Sequence, residues 1–408
     1  MPAEVVCPRP YWDRLLREGL RPEAEGPPFT APVGRVRLPD RWRLLVRAPF
    51  RRGGAVGGPC LRVGFHSGRP EVGPEPPPEG VWGELRLGRG PAEGRWWGRL
   101  HTPEGVEPIT SVFLPGRGMF RLQAGAGPDL MDLPELRGRW SRTRGALGEA
   151  AWKRLTGLRV GVVGCGRLGS GLATALARNG VQGLVLVDPD GVELHNLGEG
   201  EGWTEADVGS PKVEALARHL AEACPWTAVA AVPAPVETWA ALHALKGCDL
   251  IVCAADTAEA RATCGLLAAR YSIPLVEAGT GVLAGPEGGR VLGLEVRLIL
   301  PGEACRNCLE GEAAPREATG LPWWADRMGS LRSLNLVAVG TVLLLMEALV
   351  RGDGVGSGEV RWVWGQAWQW RAARPCGGPQ CLRPAEGAGD EADLTVGGGP
   401  VRPTGVPG

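Results

Sequence analysis

Hydrophobic and polar positions change rhythm along the chain. Up to about residue 130, short apolar or aromatic runs alternate with turn residues: Trp42–Val46, Leu61–Phe65, Val81–Leu87 and Ile109–Leu114, set apart by Arg-rich and Pro/Gly-rich stretches such as Pro74-Glu75-Pro76-Pro77-Pro78. Such short runs predict a small, mostly antiparallel unit, and an amphipathic stretch at Tyr11–Gly19 predicts a helix ahead of it. From about 131 the rhythm becomes strand, glycine turn, helix. Arg159–Val163, Gly183–Val187, Asp249–Cys253 and Pro274–Ala278 read as strands; Gly169–Asn179, Pro211–Ala223, Ala258–Arg270 and Leu334–Leu349 read as helices. Strands alternating with helices predict an α/β fold: a Rossmann-like, mostly parallel sheet with flanking helices, preceded by a smaller β-rich domain. The expected division is 1–130 for a β-rich accessory or recognition domain, 131–382 for the α/β domain, and 383–408 for a Gly/Pro/acid-rich tail expected to be disordered.

Composition narrows the classes. The 64 Gly and 37 Pro make up about a quarter of 408 residues, yet 44% are apolar, enough for a sizeable core with many turns. Formal charge is zero, from 45 basic and 45 acidic residues, which argues against nucleic acid or a membrane surface as the partner. The apolar run Leu336–Met346 is too short to span a bilayer, and the start of the chain lacks the pattern of a secretory signal. Eleven Cys in this length do not make a disulfide scaffold, so reduced thiols and a cytoplasmic location are expected. Of the 45 basic residues only Lys153, Lys212 and Lys246 are lysine.

Gly164-Cys165-Gly166-Arg167-Leu168-Gly169 is a G-x-G-x-x-G at a strand-to-helix junction. The first glycine allows the tight turn, the second lets a phosphate or ribose approach the backbone, and the third lets the helix pack on the strand. Asp188 ends the next strand, where a carboxylate can accept ribose hydroxyls. A nicotinamide dehydrogenase is the first reading of that pair.

The residues after Asp188 point elsewhere. Asp188-Pro189-Asp190-Gly191-Val192-Glu193-Leu194-His195-Asn196-Leu197, then Asp207-Val208-Gly209-Ser210-Pro211-Lys212, resembles the ThiF/MoeB/HesA superfamily, the adenylating domain shared by sulfur-carrier activators and ubiquitin-activating enzymes. Arg139-Trp140-Ser141-Arg142 upstream, and Cys248–Asp256 with Arg261 downstream, are similar to further motifs of that family, so the resemblance runs over about 135–382. It implies condensation of a C-terminal carboxylate with ATP to give an acyl-adenylate and pyrophosphate. Lys212 and Arg142 would be the cations, Arg142 reaching across a homodimer, and Asp256 would hold Mg²⁺. Gly164, Gly166, Gly169, Asp188 and Asn196 would seat the nucleotide. In a chain that uses Arg almost everywhere, a Lys on the catalytic position answers a need for a compact ammonium. One departure stands out: Glu199 occupies the place of a family Arg that faces the phosphates. Arg144 or another arginine would then have to substitute, or the loop would turn Glu199 away, or the site would bind nucleotide poorly.

Cys305-Arg306-Asn307-Cys308 and Cys376-Gly377-Gly378-Pro379-Gln380-Cys381 form two short hooks suited to a structural, tetrahedral Zn²⁺, with a redox C-x-x-C as the competing reading of the first. The stretch Leu309–Ser330 contains no Cys, so no thioester is expected on this domain; Cys165, Cys224, Cys248, Cys253 and Cys264 read as small core residues. The resemblance implies, as partner, a small ubiquitin-like or sulfur-carrier protein with a Gly-Gly C-terminus, with Gly279-Thr280-Gly281 and the helix Leu334–Leu349 lining the groove for its tail. The alternatives are a ribosomal peptide adenylated or cyclised after binding to residues 1–130, and a non-catalytic scaffold with a decayed nucleotide site.

Overall fold

The computed structural model describes residues 3–19, 28–52, 59–66, 81–88, 96–102, 105–123, 138–198, 200–284, 290–311, 331–377, 381–391, 395–396 and 399–400. Glu199, Gly378, Pro379, Gln380 and most of the stretch Leu309–Ser330 lie outside them. The chain divides into two compact units: Met1–Asp129 with Ala269–Ser272 and Ala385–Gly408, and Leu130–Ala268 with Ile273–Pro384.

In the first unit, β1 (Ala3–Val6) leads into α1 (Arg9–Gly19), followed by β2 (Phe29–Arg37), β3 (Trp42–Val46), β4 (Arg51–Arg52), β5 (Cys60–His66), β6 (Val81–Gly88), β7 (Trp96–Thr102), β8 (Gly105–Leu114) and β9 (Phe120–Gln123). The strands pair in the order β1-β3-β2-β5-β6-β7-β8, and β8 pairs back onto β1, so the sheet closes on itself. Three of its pairings are parallel, β1 with β3, β1 with β8, and β5 with β6, where the strand-and-turn pattern predicts a mostly antiparallel unit. The difference arises from β1: four residues, Ala3-Glu4-Val5-Val6, are too few to carry an alternation, yet they supply the strand that closes the ring. Inward-facing Val5, Leu44, Leu61, Leu85, Leu100 and Leu114 fill the interior, and α1 adds Tyr11, Trp12 and Leu15 from one face, all buried.

Glu4 sits inside this unit among cations. Its carboxylate accepts from Arg43 Nε at 2.7 Å, Arg121 Nε at 2.6 Å and Ser111 Oγ at 3.0 Å. Burial alone would raise its pKa, but the guanidiniums of Arg43, Arg121 and Arg41 outweigh it and hold the group at about 2. A carboxyl depressed from 4.5 in the open chain adds stability above that pH, and the contribution disappears as the pH falls from 4.5 through 2. Glu4→Gln, which strands a buried guanidinium, should cost about 3–5 kcal/mol and flatten acid destabilisation of the first unit over that window. Melting temperatures of the two proteins between pH 2 and 5 test both expectations; parallel acid profiles would contradict the second.

The second unit has strands β10 (Arg159–Val163), β11 (Gly183–Val187), β12 (Ala228–Val232), β13 (Leu250–Cys253), β14 (Leu275–Ala284), β15 (Arg290–Ile299), β16 (Gly358–Val363) and β17 (Gln369–Ala372). Their order is β12-β11-β10-β13-β14-β15-β16-β17. The first five run parallel and the last three are added antiparallel. The parallel strands are nearly continuous apolar runs, as a sheet buried on both faces requires. Helices are α2 (Ser141–Leu147), α3 (Glu149–Thr156), α4 (Arg167–Arg178), α5 (Lys212–Ala223), α6 (Trp239–Leu245), α7 (Ala258–Tyr271), α8 (Arg306–Gly311) and α9 (Arg332–Arg351). The helix α9, at 20 residues, is longer than the run Leu336–Met346 suggested, and by length and composition alone is long and apolar enough to cross a membrane. It packs on α3, α4, β14 and β15, burying Leu334, Ala338, Val342, Met346 and Leu349.

Candidate active site

The site lies at the carboxyl ends of β10 and β13, where the strand order changes direction and an open α/β sheet leaves a crevice. Two glycines of the loop after β10 have separate steric reasons. Gly164 adopts φ +81°, and a Cβ there would stand 2.6 Å from the Ala255 nitrogen. A Cβ on Gly169 would lie 1.8 Å from the Gly164 carbonyl oxygen, so only glycine lets α4 begin this close to the strand. Around Gly166 there is nothing within 4 Å: it faces open space, at the N-cap of α4.

That space is a cleft of about 430 Å³ lined by Gly164, Gly166, Asp188, Asn196, Lys212 and Asp256, among others. Six of the residues singled out in the sequence therefore face one volume. Asp188 is buried; burial pushes its carboxyl up, while the amides of Asp190 (2.8 Å) and Cys165 (2.6 Å) donate to it and favour the anion. The Asn196 carboxamide oxygen accepts from the Glu193 amide at 2.9 Å, a cap that fixes the turn on which the side chain is presented. Asp256 is exposed on the turn after β13.

Lys212, the first residue of α5, is held twice by Asp190: its amide donates to the Asp190 carbonyl and its ammonium to Asp190 Oδ2, both at 2.9 Å. Its side chain is 10% exposed against 63% for Asp190, so the ammonium is directed while its counter-ion stays wet. With its counter-ion in water, the ammonium is held by one hydrated carboxylate that an incoming anion can replace. Trp203 braces the same point, donating from Nε1 to the Lys212 carbonyl at 3.3 Å and packing on Val192 and Ala215.

Arg261, Thr280 and the helix Leu334–Leu349, all singled out in the sequence, meet at the same cleft, and the structure adds the contacts they make there. Arg261 donates to the carbonyls of Ala255 (2.8 Å) and Ala278 (2.9 Å), tying the end of β13 to β14 across the cleft floor. The Thr280 hydroxyl donates to Asn335 Oδ1 of α9 at 2.7 Å. Arg167, the fourth residue of the glycine loop, also lines the cleft. Arg142 does not: it stands exposed on α2, a helix without buried residues. Arg144 is engaged by Glu149 and lies over the Trp152 ring, away from the cleft lining.

The four hook cysteines come together. The sulfurs of Cys305, Cys308, Cys376 and Cys381 all lie within 4.8 Å of one another, with Cys305 and Cys381 at 4.0 Å. Tetrahedral Zn²⁺ with bonds near 2.3 Å spaces its sulfurs by roughly 3.8 Å, so the set fits the metal. Amides of Leu382 and Arg383 donate to Cys305 and Cys381 Sγ at 3.3 and 3.4 Å, as they would to thiolates. A hydrogen bond from Cys376 is the main cause that brings Cys305 down to about 4. The remaining seven cysteines are all buried, Cys7 and Cys60 in the first unit included.

A strand, a glycine turn into a helix, and an acid at the end of the next strand, all around a crevice at the switch point, define a Rossmann-type α/β domain. Residues 140–323 match the model of the ThiF family. Among relatives, the SAMP-activating enzyme E1 of Haloferax volcanii is 34% identical over 160 residues, 39% of this chain and 56% of that one. The sulfur carrier protein ThiS adenylyltransferase of Escherichia coli is 27% identical over 239 residues, 56% of this chain and 88% of that one. Two yeast tRNA threonylcarbamoyladenosine dehydratases are matched over only 21% and 18% of their own length. The crystal structure of Escherichia coli MccB with ATP superposes with a TM-score of 0.47 at 20% identity, over 60% of this chain and 73% of that one.

Proposed function

We propose that this chain uses ATP to adenylate the C-terminal carboxylate of a small ubiquitin-like or sulfur-carrier protein. The observation that carries the reading is the convergence of the glycine loop, Asp188, Asp256 and Lys212 on one cleft, with Gly279 and Thr280 on its far wall. Two relatives named for activating a sulfur carrier or SAMP support it.

In this reading the α4 N-terminus and the Gly166 backbone receive phosphate oxygens, and Asp188 accepts from ribose hydroxyls. A carboxylate oxygen of the tail attacks the α-phosphorus while the bond from that phosphorus to the pyrophosphate oxygen breaks; no proton is consumed. Two anions must meet, so the barrier is largely electrostatic. The Lys212 ammonium leaves Asp190 and sits against the α-phosphate, where negative charge accumulates. Asp256 would give Mg²⁺ one hard oxygen ligand, the metal neutralising phosphate charge when bound. Arg142, exposed on α2, would act in the cleft of a second copy of the chain.

The cation missing at Glu199 is supplied, in this reading, by Arg167 beside Gly166. Arg167→Gln should weaken ATP about tenfold or more, the equivalent of one charge-assisted hydrogen bond, while leaving adenosine binding within about twofold. Calorimetric titration with both ligands tests this; equal losses for both would remove the phosphate contact.

ATP–pyrophosphate exchange tests the whole reading. Stimulation by a protein ending in Gly-Gly supports it. Stimulation only by a leader-bearing ribosomal peptide replaces the carrier with a peptide, and no exchange with any acceptor leaves a scaffold.

A further inference from the structure

Adenylation moves no proton, yet the cleft carries two side chains arranged to take one. Glu193 and His195 both line it, on the loop that runs from Asp190 to Asn196. His195 Nδ1 stands 3.3 Å from Glu193 Oε2. The same carboxylate closes a capping box around the single 3₁₀ turn Leu194–Asn196. It accepts from the Asn196 amide, while the Asn196 carboxamide oxygen accepts from the Glu193 amide at 2.9 Å. A glutamate fixed by its own turn therefore orients the imidazole. A neutral imidazole that donates from Nδ1 keeps its lone pair on Nε2. A base held by a carboxylate, with its second nitrogen available, has the parts of a general-base dyad.

The loop fastens this dyad to the wall that carries Lys212. The Val192 amide donates to the Ser210 carbonyl at 2.8 Å, and the Gly209 amide donates to the Val192 carbonyl at 2.9 Å. Gly191 bridges to Pro211, the residue before Lys212. In an acyl-adenylate the electrophilic carbon is one bridging oxygen from the α-phosphorus, the atom that the Lys212 ammonium meets in the adenylation reading. A base on the same wall is placed for the step that follows, attack on that carbon.

We infer that the cleft passes the activated acyl group on to a primary amine, with His195 as general base; the inference rests on the adenylation reading above and adds the acceptor to it. The amine nitrogen bonds to the acyl carbon, the bond from that carbon to the AMP oxygen breaks, and the proton shed by the nitrogen passes to His195 Nε2. The products are an amide and AMP, and nothing is oxidised or reduced. With its side chain 61% exposed, the imidazole returns the proton to water. Proton chemistry selects the acceptor. A thiol ionises close to neutral pH and attacks as the anion, so it asks little of a base. An amine that has attacked carries a proton that must leave before the amide is formed, and a positioned base removes it.

The test uses the full chain with ATP, Escherichia coli ThiS and one of two amines: glycinamide for an α-amine, Nα-acetyl-lysine for a side-chain amine. A thiol, 2-mercaptoethanesulfonate, is the control. Mass spectrometry reads amide-linked ThiS, ATP–pyrophosphate exchange reads the first step, and the quantity compared is the ratio of the two rates. The wild-type chain is expected to form the amide with at least one amine. His195→Ala should lower the ratio by about 10²-fold, and imidazole in solution should restore part of the loss. An unchanged ratio would overturn the role of His195. A loss that tracks a fall in melting temperature and that imidazole leaves in place would make the residue structural. Exchange without amide from either amine would overturn the acceptor, in favour of a thiol if thioester-linked ThiS forms, or of water if AMP and free ThiS accumulate; adenylation stands in both cases. Absence of exchange would remove the adenylation reading itself, and the inference with it.

Discussion

Replacing Lys212 by Ala or by Arg is expected to lower the plateau rate of carrier-dependent pyrophosphate exchange by about 10²- to 10³-fold, with ATP affinity nearly unchanged. That is the usual loss when one preorganised donor to a developing charge is removed, about 3–4 kcal/mol. The geometry explains why Arg should fail as well. The ammonium is delivered from the first turn of α5 along a buried path, 10% exposed, and released from a single oxygen of Asp190. A guanidinium is broad and planar, offers its donors as a fork, and would remain bidentate on Asp190. Asp190→Asn removes the resting partner and leaves the ammonium in place, so its effect should stay within about tenfold. Melting temperatures provide the control. If Lys212→Arg keeps full exchange while Lys212→Ala loses stability, the residue has a packing role and the proposed chemistry fails.

The second large effect concerns the cysteines. Purified chain should carry one zinc per molecule by elemental analysis, and Cys308→Ser or Cys381→Ser should abolish it. Structural zinc sites contribute several kcal/mol to folding, so the melting temperature should fall by about 10 °C or more. Exchange activity should fall with it, for a reason visible in the packing. Arg306, between the first two ligands, donates to Glu277 Oε1 at 2.6 Å, and Glu277 precedes the cleft residues Ala278, Gly279 and Thr280 on β14. Losing the metal frees the hook that holds Arg306 and leaves a buried carboxylate under the cleft wall short of a cation. Metal-free protein with unchanged melting and activity would show that these thiols hold nothing structural. A disulfide between Cys305 and Cys308 in protein purified without reductant would favour the redox reading.

Much of the parallel half of the sheet was legible because burial on both faces leaves little choice of side chain. Arg159–Val163 and Gly183–Val187 form strands at their predicted bounds, and α4, α5 and α7 differ from prediction by a residue or two at their ends. The antiparallel half was hidden. Gly279 and Gly281 break the apolar run of β14, so it reads as a strand of five residues where ten pair with β15. The Trp/Arg alternation of β16 and β17 reflects one ionic face and one aromatic face, a pattern without a hydrophobic side in the ordinary sense. Ala228–Val232 is half-exposed at the sheet's edge and carries no signal as β12. At the site, residues bound to a motif could be placed by spacing. Asp190 as the partner of Lys212, and Arg261 as a tie between two strands, depend on backbone carbonyls and loop paths that spacing does not encode. Arg142 was legible as a motif and still stands outside its own chain's cleft.

Closure of the first unit by β1 has a practical consequence. Among the described residues only β4 and β9 stand outside the ring, so this unit exposes little of the unpaired edge by which open sheets aggregate. The stave that completes the ring is only Ala3–Val6, and it also carries the acid that balances the internal arginines. Trimming those few residues would open two seams at once, against β3 and β8, and leave the guanidiniums facing one another. Ala3–Val6 are therefore a poor place to shorten the chain.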